Sequence, residues 1–381
     1  MAMRLVRTGN TRCHKLALPF SSRGLALKSG EWIPGELKTA TKFVHAGVNP
    51  DPISGAILTP IFQSTTYIQD SIEDYLGKGY SYARTNNPTV TVLENKIAQL
   101  EGGYGAACFG TGMAATISVV SGMMKAGDHC VITNCSYGGT NRACRTMFTD
   151  MGMSFDFIDF TDIANIEKHI KPNTKLIFSE SPANPTLTLT DIPAVSALAK
   201  SKGIPHVVDS TFATPVIQRP IELGADLVIQ STTKFYDGHN ITVGGAVIAA
   251  TPELHERIKH MQNVHGNIMS PQNAFYTLQT SKTLGLRIKQ QSATAMKVPA
   301  TPKIPSTSSV WRPASAYERP SPPSPKRSPS FSKSIRWSTL FATLGSTPSR
   351  KKSSPIANIF MESTALCFGS RLKVGRSQAA S

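Results

Sequence analysis

Between residues 41 and 297, short runs of apolar and β-branched residues alternate with stretches of helical spacing, and this alternation limits the fold more than any other feature of the chain. The apolar runs fall at 129–132, 175–178, 206–208, 226–229 and 246–249. Helical spacing occupies 113–125, 191–201 and 253–261. The pattern predicts an α/β fold with a mostly parallel sheet covered by helices on both faces. Such sheets bind ligands beyond the carboxyl ends of their strands. Polar residues collect at those ends here, so the pattern also says where to look for chemistry.

The flanks of this region differ from it in composition. Net charge is +16, but residues 41–297 are neutral, with 20 basic and 20 acidic side chains. Residues 1–40 hold seven Lys or Arg against two acids, and residues 298–381 hold 13 against two. A basic footprint confined to the ends argues against a nucleic-acid-binding core. The first segment is rich in Arg, Leu and Ser and has no long apolar stretch. That composition fits a mitochondrial or plastid transit peptide, or equally an unstructured basic arm. With no such segment, a cytoplasmic location is expected. No run of 18 apolar residues occurs, so no membrane span is expected. The six cysteines form no CxxC pairs, which excludes a disulfide framework or zinc site as the organising principle.

Five features, four following predicted strands and one at a helix entry, could carry chemistry. Gly110-Thr111-Gly112-Met113 is a turn feeding a helix, which offers free N–H groups and a favourable dipole to an anion. By itself it is as readily a tight turn. Asp209 closes the run HVVD, where an acid more commonly caps a helix or makes a turn. Lys234 follows the run DLVIQ, with the hydroxyls of Ser231 and Thr233 just before it. Taken alone it reads as a surface lysine. Asn184 in SPANPT and Tyr137 in CSYGGT complete the set, with an Asn-Pro turn and a rim aromatic as their plain readings. Together these side chains match what pyridoxal 5'-phosphate (PLP) needs: an amine, an acid at the ring nitrogen, an anion cup and a flat contact for the ring.

The strings HAGVNPDPISGAILTPIFQSTTY, YSYARTNNPT, LEGG, GTGMAA, GDHCV, YGGTNR, ESPANPT, VVDSTFATP, GADLVIQSTTKF and DGHN occur in this order. In this the chain resembles the Cys/Met-metabolism (transsulfuration) PLP enzymes, most closely the cystathionine γ-lyases and γ-synthases. The resemblance implies a PLP-dependent transferase fold of the aspartate-aminotransferase type (fold type I). It implies an N-terminal arm over 41–64, a PLP-binding large domain over 65–275 and the start of a C-terminal domain over 276–297. It implies that Lys234 forms the Schiff base and moves protons, and that Asp209 pairs with the ring nitrogen. Tyr137 would stack on the ring, Asn184 would touch its oxygen, and Gly112, Met113, Ser231 and Thr233 would hold the phosphate. Tyr82 and Arg84 would reach the phosphate of a neighbouring subunit, so the site would be shared within a homodimer or homotetramer. The substrate would be a small sulfur amino acid, and no metal is implied. The expected reaction is γ-elimination of cystathionine, with γ-synthase or β-lyase activity as the alternative. Methionine γ-lyases usually carry cysteine where Gly139 stands, which lowers that option.

The resemblance stops after Lys297. Eleven of the 26 prolines lie in 298–381, and 320–329 reads PSPPSPKRSP. Such a segment cannot bury a core and is expected to be disordered. Back-translation of 341–352 and 355–370 in a shifted frame yields family-like strings, so an out-of-frame tail is the favoured expectation. The arginine that binds substrate carboxylate in the family has no visible counterpart there. An inactive remnant of a PLP fold is therefore a further alternative.

Overall fold

The computed structural model describes residues 37–69, 71 and 79–297. The basic N-terminal segment up to residue 36 and the proline-rich tail from residue 298 lie outside the described residues, as do the expectations attached to them. Seven strands form one sheet: β1 (Gly105–Phe109), β2 (His129–Thr133), β3 (Ser154–Ile158), β4 (Thr174–Glu180), β5 (His206–Asp209), β6 (Leu227–Gln230) and β7 (Gly245–Ala249). Their spatial order is β1-β7-β6-β5-β4-β2-β3. β2 through β6 pair in parallel, while β7 runs antiparallel between β1 and β6. The expected mostly parallel sheet is present, and each of the five expected strands overlaps an observed one with bounds within two residues. β1 and β3 were not foreseen. GAACF is dominated by small residues, and SFDFI interrupts its apolar run with an acid.

Strands β2, β6 and β7 are buried along their whole length. A strand covered on both faces reads as a continuous apolar run, whereas one face open to water gives alternation. Side chains of successive residues then enter opposite layers. Cys130, Ile132, Leu176 and Phe178 pack with Val119, Met123 and Phe148 on one face. Val131 and Ile177 pack with Ile166 and Val195 on the other. Truncating a fully buried ring such as Phe178 to alanine costs about 3–5 kcal/mol.

The helices are α1 (Thr39–His45), α2 (Pro88–Glu101), α3 (Gly112–Met123), α4 (Gly138–Ala143), α5 (Ile163–Lys168), α6 (Ile192–Ser201), α7 (Thr214–Ile217), α8 (Pro252–His265), α9 (Pro271–Thr280) and α10 (Leu284–Ala295). Their starts and stops are chemically marked. Asn87, Thr111, Asp191, Thr251 and Ser270 each cap an N-terminus with a side-chain oxygen. Proline occupies the first turn of α2, α6, α8 and α9, where its missing N–H costs nothing. Gly102 and Gly266 end α2 and α8 in the left-handed conformation, at φ 73° and 71°.

Residues 46–69 form an arm without helix. Its side of α2 is tethered, since Asn87 Nδ2 donates to Phe62 O at 2.7 Å and Thr89 Oγ1 donates to Pro60 O at 2.7 Å. Val48 packs into the core, but other apolar side chains of the arm are largely exposed, Ile53 at 95% and Ile57 at 69%.

Candidate active site

All the segments singled out at strand ends converge on one edge of the sheet, because β1, β2, β4, β5 and β6 point their carboxyl ends the same way. Asp209 is the last residue of β5, and its register partner on β4 is Glu180. Asp209 Oδ1 accepts from Thr211 N at 3.0 Å. Thr211 Oγ1 accepts in turn from Ser231 N at 2.9 Å, which ties the lysine-bearing turn to the aspartate. Phe212 and Phe235 meet edge to face at 6.3 Å and reinforce this joint.

The turn after β1 closes on the same place. Thr111 Oγ1 accepts from Ala114 N at 2.9 Å. The first-turn amides of Gly112 and Met113 have no helical acceptor, as at any helix start. A Cβ on Gly112 would lie 3.0 Å from Ser231 Cβ and Oγ. The absence of a side chain at Gly112 therefore lets the helix start and the Ser231 hydroxyl face one another. Thr233 is differently placed. Its hydroxyl donates to Gly244 O at 3.1 Å and accepts from Gly244 N at 2.9 Å, so it is occupied in holding the loop shut.

Tyr137 enters from the β2 side. A Cβ built on Gly139 would lie 2.6 Å from Tyr137 Cε1 and 2.7 Å from Met113 Sδ, so Tyr137, Gly139 and Met113 are in close contact. Tyr137 N donates to Glu180 Oε2 at 2.6 Å, and Asn184 N donates to Glu180 Oε1 at 2.9 Å. The contacts thus run in a closed ring: Asp209, Thr211, Ser231, Gly112, Met113, Tyr137, Glu180 and back to Asp209.

Lys234 stands on the turn following β6 and is exposed. The physical reason is its position on a turn beyond the sheet edge rather than within it. The turn itself is firmly built. Lys234 N donates to Ser231 O at 3.1 Å and Gly238 N donates to Lys234 O at 2.7 Å. Asp237 is fully buried and its Oδ2 accepts from His239 N and Ile241 N. Arg287 of α10 donates to Tyr236 O at 3.4 Å, and a side chain on Gly238 would overlap its guanidinium. The DGHN string is therefore a brace for the lysine turn.

Tyr82 and Arg84 are not part of the ring. Arg84 Nη1 donates to Asn263 O and Asn263 Oδ1, both at 2.7 Å, at the C-terminal end of α8. Its guanidinium carbon lies 5.7 Å from the Tyr82 ring centre, and Tyr82 is 44% exposed.

Burial raises the affinity of both strand-end carboxyls for protons. Glu180 is pushed well up, first by burial and then by Asp209, and Asp209 is raised by burial. Neither forms an ion pair among the described residues. Two adjacent acids with no cation paired to them among the described residues thus lie beside free helix-start amides and a serine hydroxyl. Among the described residues no group of three His, Cys, Asp or Glu could hold a metal ion. No helix among them is long and apolar enough to cross a membrane.

A family model described as Cys/Met metabolism PLP-dependent enzyme matches residues 40–303. The chain belongs to this family. PLP is its cofactor, and the enzymes concerned act as cystathionine lyases and synthases. A probable cystathionine γ-synthase of Herpetosiphon aurantiacus is 42% identical over 259 residues, covering 68% of this chain and 80% of that protein. A cystathionine β-lyase of Coxiella burnetii is 40% identical, covering 68% of this chain and 66% of that protein. The crystal structure of a cystathionine γ-lyase from Lactobacillus plantarum, complexed with L-serine, superposes with a TM-score of 0.67 at 38% identity and covers 68% of each chain. The family match begins at residue 40, so the basic segment read as a transit peptide gains no support from it.

Glu180 escaped the sequence reading. Its signal was present, since LIFSE ends an apolar run with an acid just as HVVD does. Thr211 gave no signal, because its role depends on the β5–β6 neighbourhood.

Proposed function

We propose that this protein cleaves cystathionine at its γ-carbon, consuming water and giving cysteine, 2-oxobutanoate and ammonia, with Lys234 as the cofactor-bearing residue. The observation that carries this reading is the closed ring of contacts from Asp209 to Tyr137 beside the Lys234 turn. Lys234 would attach PLP through Nζ, Asp209 would face the ring nitrogen and Asn184 the ring oxygen. Gly112, Met113 and Ser231 would hold the phosphate, with Thr233 shaping the loop beside them. Bound there, PLP supplies an electron sink for charge that develops at the substrate α-carbon. Freed when the substrate amine takes its place on the cofactor, Lys234 Nζ would take the α-proton, hand it on to the cofactor, and then take a β-proton, which would let the γ-substituent leave. Tyr137 would stack on the ring and return a proton to the departing sulfur.

The choice of the γ-lyase reaction rests on the loop 137–142, YGGTNR. A side chain at Gly139 would displace Tyr137 or Met113, which speaks against the cysteine usual in methionine γ-lyases. Relatives near 40% identity carry γ-synthase and β-lyase names as well, so the assay must separate them. Purified protein is supplied with cystathionine, or with an O-acyl homoserine plus cysteine. Release of 2-oxobutanoate and cysteine from cystathionine supports the reading. Net formation of cystathionine from the second pair, or homocysteine and pyruvate from the first, replaces it.

The several exposed apolar side chains of the 46–69 arm, Ile53, Ile57, Leu58 and Ile61 among them, support a subunit interface, since clustered apolar exposure marks association surfaces. On this reading Tyr82 and Arg84 complete a partner's phosphate site within a homodimer or homotetramer. A second reading is favoured by the change in composition after Lys297: a chain that binds PLP and turns nothing over. Cofactor binding with no product from any of these substrates would select it. Sequencing the transcript around the Lys297 codon tests the frame-shift origin, which an uninterrupted frame matching the chain would sink.

A further inference from the structure

Glu180 takes no part in the chemistry above, yet it closes the ring of contacts around the cleft. It closes β4, is 5% exposed, and sits in register with Asp209. Its two oxygens accept from amides of two different segments, Tyr137 N at 2.6 Å and Asn184 N at 2.9 Å. Both segments are connections lying beyond the strands, where no ladder of strand hydrogen bonds fixes the backbone. A buried acid without a counter-charge is a poor packing element, because an apolar side chain of the same volume avoids its desolvation cost. The two hydrogen bonds from backbone amides are what offset that cost.

Building on the PLP reading, we propose that Glu180 is the positioning residue of the site: one carboxylate that sets the ring-facing Tyr137 and the ring-edge Asn184 in register with Asp209. The face, edge and nitrogen contacts of the cofactor ring are thereby fixed to the ends of two paired strands before the cofactor arrives. Glu180 acts through the backbone of its two partners and touches no reacting atom. The geometry also explains why glutamate is needed. Aspartate is one methylene shorter and reaches only one amide. Glutamine keeps one acceptor but turns an N–H toward the other amide.

The test uses the full-length wild-type, Glu180→Gln and Glu180→Asp chains, each titrated with PLP and followed by visible absorbance and induced circular dichroism. The PLP-free forms are melted alongside. The expected result is a rise in the PLP dissociation constant of about tenfold or more in both variants, the loss of one good hydrogen bond's discrimination. The induced dichroism of the bound cofactor should fall by at least about half, because the ring is no longer held at one tilt. A purely structural role would lower the melting temperature and leave the dichroism of the bound fraction unchanged, and that result overturns the proposal. So does a Glu180→Gln chain with wild-type affinity and dichroism. Failure of the wild-type chain to bind PLP overturns the underlying PLP reading and is thereby distinguishable. Should the variants not fold, amide exchange in the wild-type chain decides. The Tyr137 and Asn184 amides should exchange at least about tenfold more slowly than unbonded loop amides, and rapid exchange at both overturns the anchor.

Discussion

At the amino ends of β2, β3 and β4, charges are paired within the chain. Asp156 lies 2.8 Å from Lys171 Nζ and 3.3 Å from His129 Nε2, and His129 Nδ1 bonds Thr174 Oγ1 at 2.8 Å. At the carboxyl ends of β4 and β5, Glu180 and Asp209 lie side by side with no cation paired to them among the described residues. The first arrangement is complete as it stands. The second is complete only with a positively charged guest. Burial drives His129 below its ordinary value and the Lys171 charge adds to this, against the opposing pull of Asp156. At the upper edge, burial drives the acids toward protonation instead, and a cation placed between them reverses that cost. An open α/β sheet thus keeps its stability at one end and its chemistry at the other.

The sharpest way to break this comparison is at the upper edge. Lys234→Ala removes the only amine on the lysine turn, and turnover is expected to fall by at least about a thousandfold, the scale of a lost general base. Steady-state release of 2-oxobutanoate measures it. Asp209→Asn keeps the shape and removes the charge, and turnover is expected to drop by about a hundredfold, as for loss of one charge-assisted bond. Its PLP spectrum should titrate with pH where the wild type stays constant.

A smaller effect lies beneath the cleft. Glu101 is fully buried, accepts from Gln230 Nε2 at 2.8 Å and Tyr236 OH at 3.0 Å, and is raised by burial from 4.5 to about 8. The folded chain keeps a proton that the unfolded chain releases between those values. This group's contribution therefore declines as pH rises from about 4.5 to about 8 and is level above, with a slope on the order of 1 kcal/mol per pH unit. Urea unfolding across that range should show the decline, and Glu101→Gln should flatten it. The smallest change is expected at the lower edge. Lys171 is 47% exposed, so Lys171→Ala should cost under about 1 kcal/mol in the same unfolding experiment. It should leave PLP affinity and turnover untouched, and a large loss of either would erase the distinction between the two edges.

Much of this was legible in the sequence for a physical reason. Continuous apolar runs such as CVI and LVI arise only where both faces of a strand are covered, so the parallel sheet and its carboxyl edge could be placed in advance. Asp209, Tyr137, Asn184 and the Lys234 turn could be placed with it, because each directly follows such a run. What could not be read were links across strands. The hydrogen bond of Thr211 to the Lys234 turn, the packing of Gly139 between Tyr137 and Met113, and the brace from Arg287 to Gly238 join residues far apart in the chain. Thr233 shows the converse limit. Its position before Lys234 suggested a phosphate contact, but the backbone of Gly244 already uses its hydroxyl.

The most direct test of the account is to incubate the full-length chain with PLP, reduce with borohydride, digest, and locate the pyridoxyl group by mass spectrometry. The account predicts a single modified peptide spanning STTKF, with the group on Lys234. Modification of some other lysine, or scattered labelling across the surface lysines, would contradict it.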